Sequence, residues 1–594
     1  MAFTQALAQF DLREGALETT LSSGKVVQRP WSTIVPNLPH LARRWRNLAL
    51  LCLGLLLFMA NNLSPLAALL HPRAGYVALL VPRNHDSAQY LTWIEACKNS
   101  WTIPDYHAPW QTEPALHVPL MWMLAKVSRL TGFTVICVYL GLQIACYVLA
   151  LYTLAFLQRV FVTNSKQVAL AAMLMICSVP LRSFILLPAL LLKPRDWAMM
   201  HTGYLDFLGG ASSDGLFQGA TCGAIITLGT AGALLSLAFF GRYFFLGQRN
   251  DLWAASLTGG LSGFFHPFEF IPVTAAAAFA ILWKRCPLRI RLTELLIVGV
   301  PASAVVLFYF LATLTHPWLK IAADLNRFQT FHISHDEILA LGLPVLLGVM
   351  FAFWPPMPDS QAECFLACYI VVATVGLFTT FLPWPQHFMD GLDYAAAIFV
   401  ARKLDEMPRF MTLWASRTTL RLGLILLLIG GALLPHLYFR YLTYTIGITA
   451  TEEGQATAVA PVDEVRAIGW LRKHADSQSL ILAPKENAPW MATVPMHSFA
   501  SHWIFSLTRD QQALISSNFF QGALSDTDAN ALLKSYGVRY VLIPVGSPAL
   551  RYTSNAELRL SGQKLLLYEF PQNEMKPFPE LKKVSPGRYV WNPS

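Results

Sequence analysis

Residues 48–70 read LALLCLGLLLFMANNLSPLAALL, and residues 132–157 read GFTVICVYLGLQIACYVLALYTLAFL. Neither run carries a charged side chain. Each exceeds the roughly 20 apolar residues that cross a hydrocarbon core about 30 Å thick. In such a core only a helix satisfies every backbone polar group within its own segment. The chain therefore reads as an α-helical polytopic membrane protein.

Composition agrees with that reading. Of 594 residues, 55% are hydrophobic and 13% charged, with a mean hydropathy of +0.44; soluble domains carry about 25% charged residues. The net charge of +9 is spread over short loops between apolar runs, as in cytoplasmic loops of membrane proteins. No compact basic, aromatic-rich domain is present, so nucleic acid is excluded as a partner. The nine cysteines lie in or beside apolar runs and none follows Cys368, so the C-terminal part has no disulfide framework and the chain shows no zinc spacing.

Residues 1–47 form a polar tail too long for a signal-peptide n-region, and Arg43, Arg44 and Arg46 place it in the cytoplasm. About eleven spans follow, at 48–70, 132–157, 168–192, 220–245, 252–265, 267–283, 293–315, 337–354, 363–384, 389–404 and 418–440. Loop charge supports the order. The inside loops hold Arg159 and Lys166; Arg242 and Arg249; Lys284, Arg285, Arg289 and Arg291; and Arg402, Lys403, Arg409 and Arg417, and only the short 355–362 turn lacks a cation. An odd number of spans puts residues 441–594 outside the inner membrane.

Two spans are interrupted. His266-Pro267 breaks 252–283 into a hairpin with its tip at the outer interface, and Pro180 with Arg182 interrupts 168–192. Irregular backbone at membrane depth is tolerated only where protein or a wet cavity covers it. The outside loop 71–131 reads as amphipathic helical pieces lying on the interface. Trp45, Trp101, Trp318 and Trp384 read as an interfacial belt. Beyond a linker at 450–460 the texture is that of a small α/β domain, with helices at 461–475 and 527–536 and strands at 480–482, 538–545 and 564–570.

The sharpest local feature is Asn84-His85-Asp86-Ser87-Ala88-Gln89-Tyr90, just past the first span. An acid beside the membrane surface suits a general base or a metal ligand; capping of the following helix is the competing role. Lys193, Arg195 and Arg182 sit at the outer end of the third span, where arginine is suited to bidentate phosphate contacts. Asp196 pairs with Arg195 or serves as a second acid. His266 and Glu269 stand at the broken hairpin, where ionisable groups near membrane depth point to function. His387, Asp390 and Asp393 precede or open the 389–404 span, with capping again the competitor for Asp390.

Taken together, this layout resembles the GT-C superfamily of membrane glycosyltransferases, which includes the protein O-mannosyltransferases, the aminoarabinose transferase of lipid A and the oligosaccharyltransferase catalytic subunit. Glu113-Pro114-Ala115-Leu116-His117-Val118-Pro119-Leu120 with Leu130-Thr131-Gly132 resembles the stretch leading into the second span. Phe388-Met389-Asp390-Gly391-Leu392-Asp393-Tyr394 resembles a late-loop motif. The resemblance implies that Asp86 is the first-loop catalytic acid. The family often pairs that acid with a second; here the neighbour is His85, which leaves open whether a divalent metal, Mg or Mn, binds at Asp86. It further implies a sugar donor linked to polyprenyl phosphate and an acceptor that is a glycan, lipid or protein; by their positions, Glu113, His266, Glu269, His387, Asp390 and Asp393 are the candidate substrate contacts. A transporter or flippase of a lipid-linked substrate, or a non-catalytic membrane scaffold, are the alternatives. Broken helices favour the first of these, and polar residues gathered on one face argue against it.

Overall fold

A computed structural model describes residues 51–56, 58–59, 62–81, 85–176, 224–326, 341–354, 360–379, 385–407, 459–501, 506–585 and 588–591, with isolated helical positions at 48, 422, 423 and 426. The tail 1–47, most of the 168–192 span and nearly all of the 418–440 span lie outside the described residues. So do Arg182, Lys193, Arg195 and Asp196.

The chain enters as a short helix α1 (Leu63–Leu70) and strand β1 (Tyr76–Ala78). The first loop then builds α2 (His85–Ala96), β2 (Thr102–Ile103), β3 (Leu116–His117) and α3 (Pro119–Thr131). The bundle comprises α4 (Val135–Phe161), α5 (Ser165–Ile176), α6 (Ala224–Leu246), α7 (Arg249–Phe265), α8 (Phe270–Trp283), α9 (Leu288–Thr315), α10 (Pro317–Asn326), α11 (Leu343–Phe353), α12 (Gln361–Leu377), a 3-10 turn at Pro385–Met389 and α13 (Leu392–Asp405). Among the described residues α4, α6 and α9 are long and apolar enough to cross a membrane, and α8, α11 and α12 are shorter apolar helices.

Small residues hold the bundle together, as expected where lipid removes the hydrophobic drive between helices. A Cβ on Gly232 of α6 would fall 2.5 Å from the Ser262 side chain of α7. The serines then bridge the closely packed pair: Ser236 Oγ donates to the Ala255 carbonyl at 2.8 Å, and Ser262 Oγ to the Gly229 carbonyl at 2.9 Å. α13 lies at the centre, with every residue from Leu392 to Lys403 buried. Its basic end is neutralised by Glu363 at the start of α12, which bonds Arg402 and lies 3.6 Å from Lys403.

Several charges at that end are paired. Asn164 and Gln167 donate to Asp405, Arg242 faces Asp251 at 3.4 Å, and Lys284 donates to Glu294 at 3.0 Å. The loops assigned to one side by their charge thus share one end of the bundle.

The C-terminal part opens with β4 (Val459–Pro461) and α14 (Val462–His474), followed by β5 (Leu480–Leu482), α15 (Ala488–Met491), β6 (His497–Ser498), α16 (Arg509–Phe520), α17 (Asp526–Tyr536), β7 (Tyr540–Pro544), β8 (Glu557–Ser561), β9 (Leu565–Glu569), β10 (Lys582–Ser585) and β11 (Arg588–Val590). α14 carries Asp463 and Glu464 in its first turn and Arg472, Lys473 and His474 in its last, matching the helix dipole. A five-stranded sheet runs in the order β6-β5-β7-β9-β8; β5 is parallel to β6 and β7, and β9 is antiparallel to β7 and β8. The strands expected at 480–482, 538–545 and 564–570 are therefore present.

The first loop differs from its expected form. It does not simply lie on the interface but is built into the C-terminal part. β1 pairs antiparallel with β4, Tyr76 opposite Pro461. Thr92 Oγ1 lies 2.6 Å from the Ala492 carbonyl, the Ser498 N–H donates to the Tyr106 carbonyl at 2.8 Å, and Lys564 donates to Tyr76 at 2.6 Å. Trp318 is also corrected: it is 3% exposed, packed in the core beneath the sheet, and its indole N–H donates to the Glu113 carbonyl. Trp101 keeps an exposed face, while Trp45 and Trp384 are outside the described residues.

Candidate active site at one end of the bundle

Three segments remote in sequence deliver ionisable side chains to the bundle end opposite the paired charges. The first is the break between α7 and α8. Pro267 disfavours helical backbone in the residue before it, and His266 is extended, with φ −148° and ψ 106°. Its N–H still reaches the Ser262 carbonyl at 2.9 Å. Glu269 opens α8 without capping it; both carboxylate oxygens instead lie 2.6 Å from His266 Nδ1.

The second segment is the 3-10 turn. Phe388 seats where Gly376 of α12 leaves room for its ring, alongside buried Leu341, Leu377 and Met389. That anchor orients His387, whose Nδ1 lies 2.9 Å from Asp390 Oδ2. Gly391 follows with φ +81°, a conformation only glycine adopts cheaply, and turns the chain into α13. Gly391, rather than Asp390, occupies the cap position, and no side chain caps the helix. Capping is thus not what Asp390 does. Asp393 is buried in the first turn of α13.

The third segment is the start of α2, where Asp86 is the second residue. α2 rests on α4 through the Tyr90 and Tyr139 rings, 6.1 Å apart, and on the C-terminal part through Thr92. Burial of the Asp86 carboxyl raises its pKa above the ordinary value, and the charge of His387 opposes that rise. Asp86 of the first loop therefore lies within the electrostatic influence of His387 on the 3-10 turn.

The two histidine–acid pairs are neighbours. The His266 and His387 rings meet edge to face at 4.7 Å, and Phe268 stacks on His387 at 5.4 Å with an interplanar angle of 24°. His266, Glu269 and Asp390 each offer a ligand atom, all within 4.8 Å of one another, and so can hold a metal ion. Gly229 of α6 provides the floor: a Cβ there would stand 2.8 Å from His266 Cβ and 2.9 Å from both Glu269 oxygens.

Of the expected site residues, the structure brings Asp86, His266, Glu269, His387 and Asp390 to one end of the bundle, with Asp393 a turn below. Glu113 is exposed and stands with Trp318 towards the sheet. The backbone of His85 opens α2, and its side chain is outside what is described. Gly229, Gly376, Tyr139 and Phe268 escaped the sequence reading. Gly229 lies inside an unbroken apolar helix and carries no local signal.

No protein-family model matches the chain, and no curated protein matches it either. Among solved structures, the oligosaccharyltransferase AglB of Archaeoglobus fulgidus, in complex with an inhibitory peptide and a dolichol-phosphate, aligns with a TM-score of 0.51 and 13% identity. That alignment covers 85% of this chain and 70% of AglB. The arabinofuranosyltransferase AftD from Mycobacteria aligns with a TM-score of 0.49 and 13% identity, over 89% of this chain and 40% of its own. The AglB match shows that this chain shares the fold of that oligosaccharyltransferase over most of its length.

Proposed function

We propose that the chain is a membrane glycosyltransferase. It moves a sugar from a polyprenyl-phosphate-linked donor to an acceptor at the outer face of the inner membrane, with the N-terminus cytoplasmic and residues 441–594 outside. The observation that carries this reading is the meeting of Asp86 with two histidine–acid pairs at one end of an apolar bundle of GT-C fold. AglB was solved with a dolichol-phosphate, which is the chemistry of the proposed donor.

Asp86 accepts the proton of the acceptor's nucleophilic group. The lone pair so released forms the new bond to the anomeric carbon, and the bond from that carbon to the phosphate oxygen breaks, its electron pair leaving with the lipid phosphate. Arg182, Lys193 and Arg195 are the cations proposed to receive that phosphate. A divalent ion, when bound, supplies further positive charge for the same leaving group. His387 beside Asp86 tunes the base and Asp390 orients His387.

The transporter reading requires ionisable groups near the middle of several spans. Among the described residues, the buried charges of the bundle sit towards helix ends instead: Asp251, Glu269, Glu294, Glu363, Asp390, Asp393, Arg402 and Lys403. That distribution favours an interfacial enzyme. The deciding experiment is turnover of polyprenyl-phosphate-linked sugars by wild type and Asp86→Asn. Equal turnover removes Asp86 from the mechanism, and no turnover by wild type across a donor panel returns the transporter or scaffold.

A further inference from the structure

We infer that His266, Glu269 and Asp390 form a site for one divalent cation of the zinc class, distinct from Asp86. The inference rests on the sugar-transfer reading only for what the cation would do; its presence is measured without turnover.

The donor set decides the class of ion. Magnesium and calcium take oxygen ligands almost exclusively, whereas an imidazole nitrogen beside carboxylates shifts preference to zinc and its neighbours. Three protein donors are also what open zinc sites use, leaving a coordination position for a non-protein ligand. An oxygen of a lipid phosphate has the chemistry to fill it.

Burial supplies the second argument. The Glu269 side chain is fully buried, that of Asp390 is 3% exposed and that of His266 12% exposed. Two carboxylates close together in so dry a place are costly unless positive charge compensates them. His387 Nδ1 lies 2.9 Å from only one oxygen of Asp390. Outer hydrogen bonds of that kind fix ligating carboxylates in metal sites.

Space supplies the third. Gly229 is the floor of the cluster, and even a methyl group there would press on His266 and both oxygens of Glu269. A glycine at that point keeps the donor atoms convergent.

Asp86 is not part of the group whose donor atoms lie within 4.8 Å of one another. A carboxylate bound to a cation is a weak base, so seating the ion on other residues leaves proton transfer to Asp86. This places the ion apart from Asp86, the residue at which the sequence leaves binding of Mg or Mn open.

The test uses the full-length protein in detergent, stripped with chelator, loaded with Zn²⁺ and dialysed against excess Mg²⁺, with metal counted by mass spectrometry. One zinc per chain should remain. His266→Ala and Asp390→Asn should each lower retained zinc by at least about tenfold, and Asp86→Asn should retain it. Cobalt substitution adds an optical readout: wild type and Asp86→Asn should show ligand-field bands that Asp390→Asn lacks. Absence of retained zinc in wild type overturns the inference and leaves a hydrogen-bonded His266–Glu269 turn. Displacement by Mg²⁺ overturns the class of ion. Loss of zinc in a folded Asp86→Asn protein moves the site to Asp86. Zinc retained without turnover on any donor would instead overturn the transferase reading and keep the metal site.

Discussion

A Cβ on Gly229 would stand 2.9 Å from both carboxylate oxygens of Glu269, so α6 closes the candidate site from below with no side chain of its own. Gly229→Ala adds one methyl group at a contact with no slack. Overpacking of this kind costs about 1–3 kcal/mol, and here the moveable partner is the site itself. The expected result is a folded protein whose melting temperature drops by a few degrees while turnover falls at least about tenfold, since small misplacements in a reacting centre are expensive. Gly232→Ala, which presses on Ser262 without touching the carboxylates, is the control: it should cost similar stability and much less turnover.

Asp86 predicts the shape of the pH profile. Burial lifts its pKa and His387 pulls it back. A general base must be deprotonated, so kcat/KM should fall on the acid side at a pH above the ordinary carboxylate range. Removing the opposing charge with His387→Gln should move that limb further towards alkaline pH. An unmoved limb in an active His387→Gln protein would show that His387 does not tune the base.

The junction of the first loop with the C-terminal part should itself respond to pH. Asp105 is buried and pushed up to about 8, although its carboxylate accepts the His107 N–H; His497 is held down at about 4 by burial. A carboxyl whose folded pKa is raised binds a proton more tightly in the native state, so stability falls as pH climbs from the unfolded value of 3.8 towards 8. A histidine whose folded pKa is lowered has the opposite slope, confined to the interval between 4 and 6.5. Between pH 4 and 6.5 the two slopes offset; between 6.5 and 8 only the loss from Asp105 remains. Thermal unfolding of wild type should weaken across that upper window, and Asp105→Asn should flatten the decline.

The opposite end of the bundle offers a prediction about stability alone. Glu363→Gln strips buried Arg402 of its ion-pair partner, while Lys403 keeps Glu406 at 2.8 Å. Leaving a buried charge uncompensated costs about 3–5 kcal/mol. A large drop in thermal stability is expected, with turnover per folded molecule unchanged. Loss of turnover in the folded fraction would mean that the two ends are coupled.

Much of the bundle is legible in the sequence because lipid imposes one rule, long apolar runs closed into helices. Gly132–Leu157 reads directly as α4, and the break at His266-Pro267 is visible because proline removes a donor and restricts its neighbour. The strands of the C-terminal sheet announce themselves through β-branched runs such as Val538–Val545. Tertiary pairing is what could not be read. Nothing local in Tyr76-Val77-Ala78 names β4 as its partner, and Trp318 has the composition of a belt residue until Glu113 is seen to accept its N–H. The site was legible as residue types in scattered loops. Its assembly was not, because it depends on Gly229 and Gly376, whose contribution is space.

The docking of α2 on the C-terminal part sets a timetable. Thr92 and Ala492 are 400 positions apart, so at about 5–20 residues per second the loop waits roughly 20–80 s for its partner to be synthesised. Through that interval β1 lacks β4, and the helix bearing Asp86 packs on α3 and α4 but lacks its hold on Ala492. A chain that stops before Val459 would hold the described bundle helices yet lack the part of the seat of α2 that residues beyond Val459 supply. The complete seat of α2 thus arrives only with the last quarter of translation.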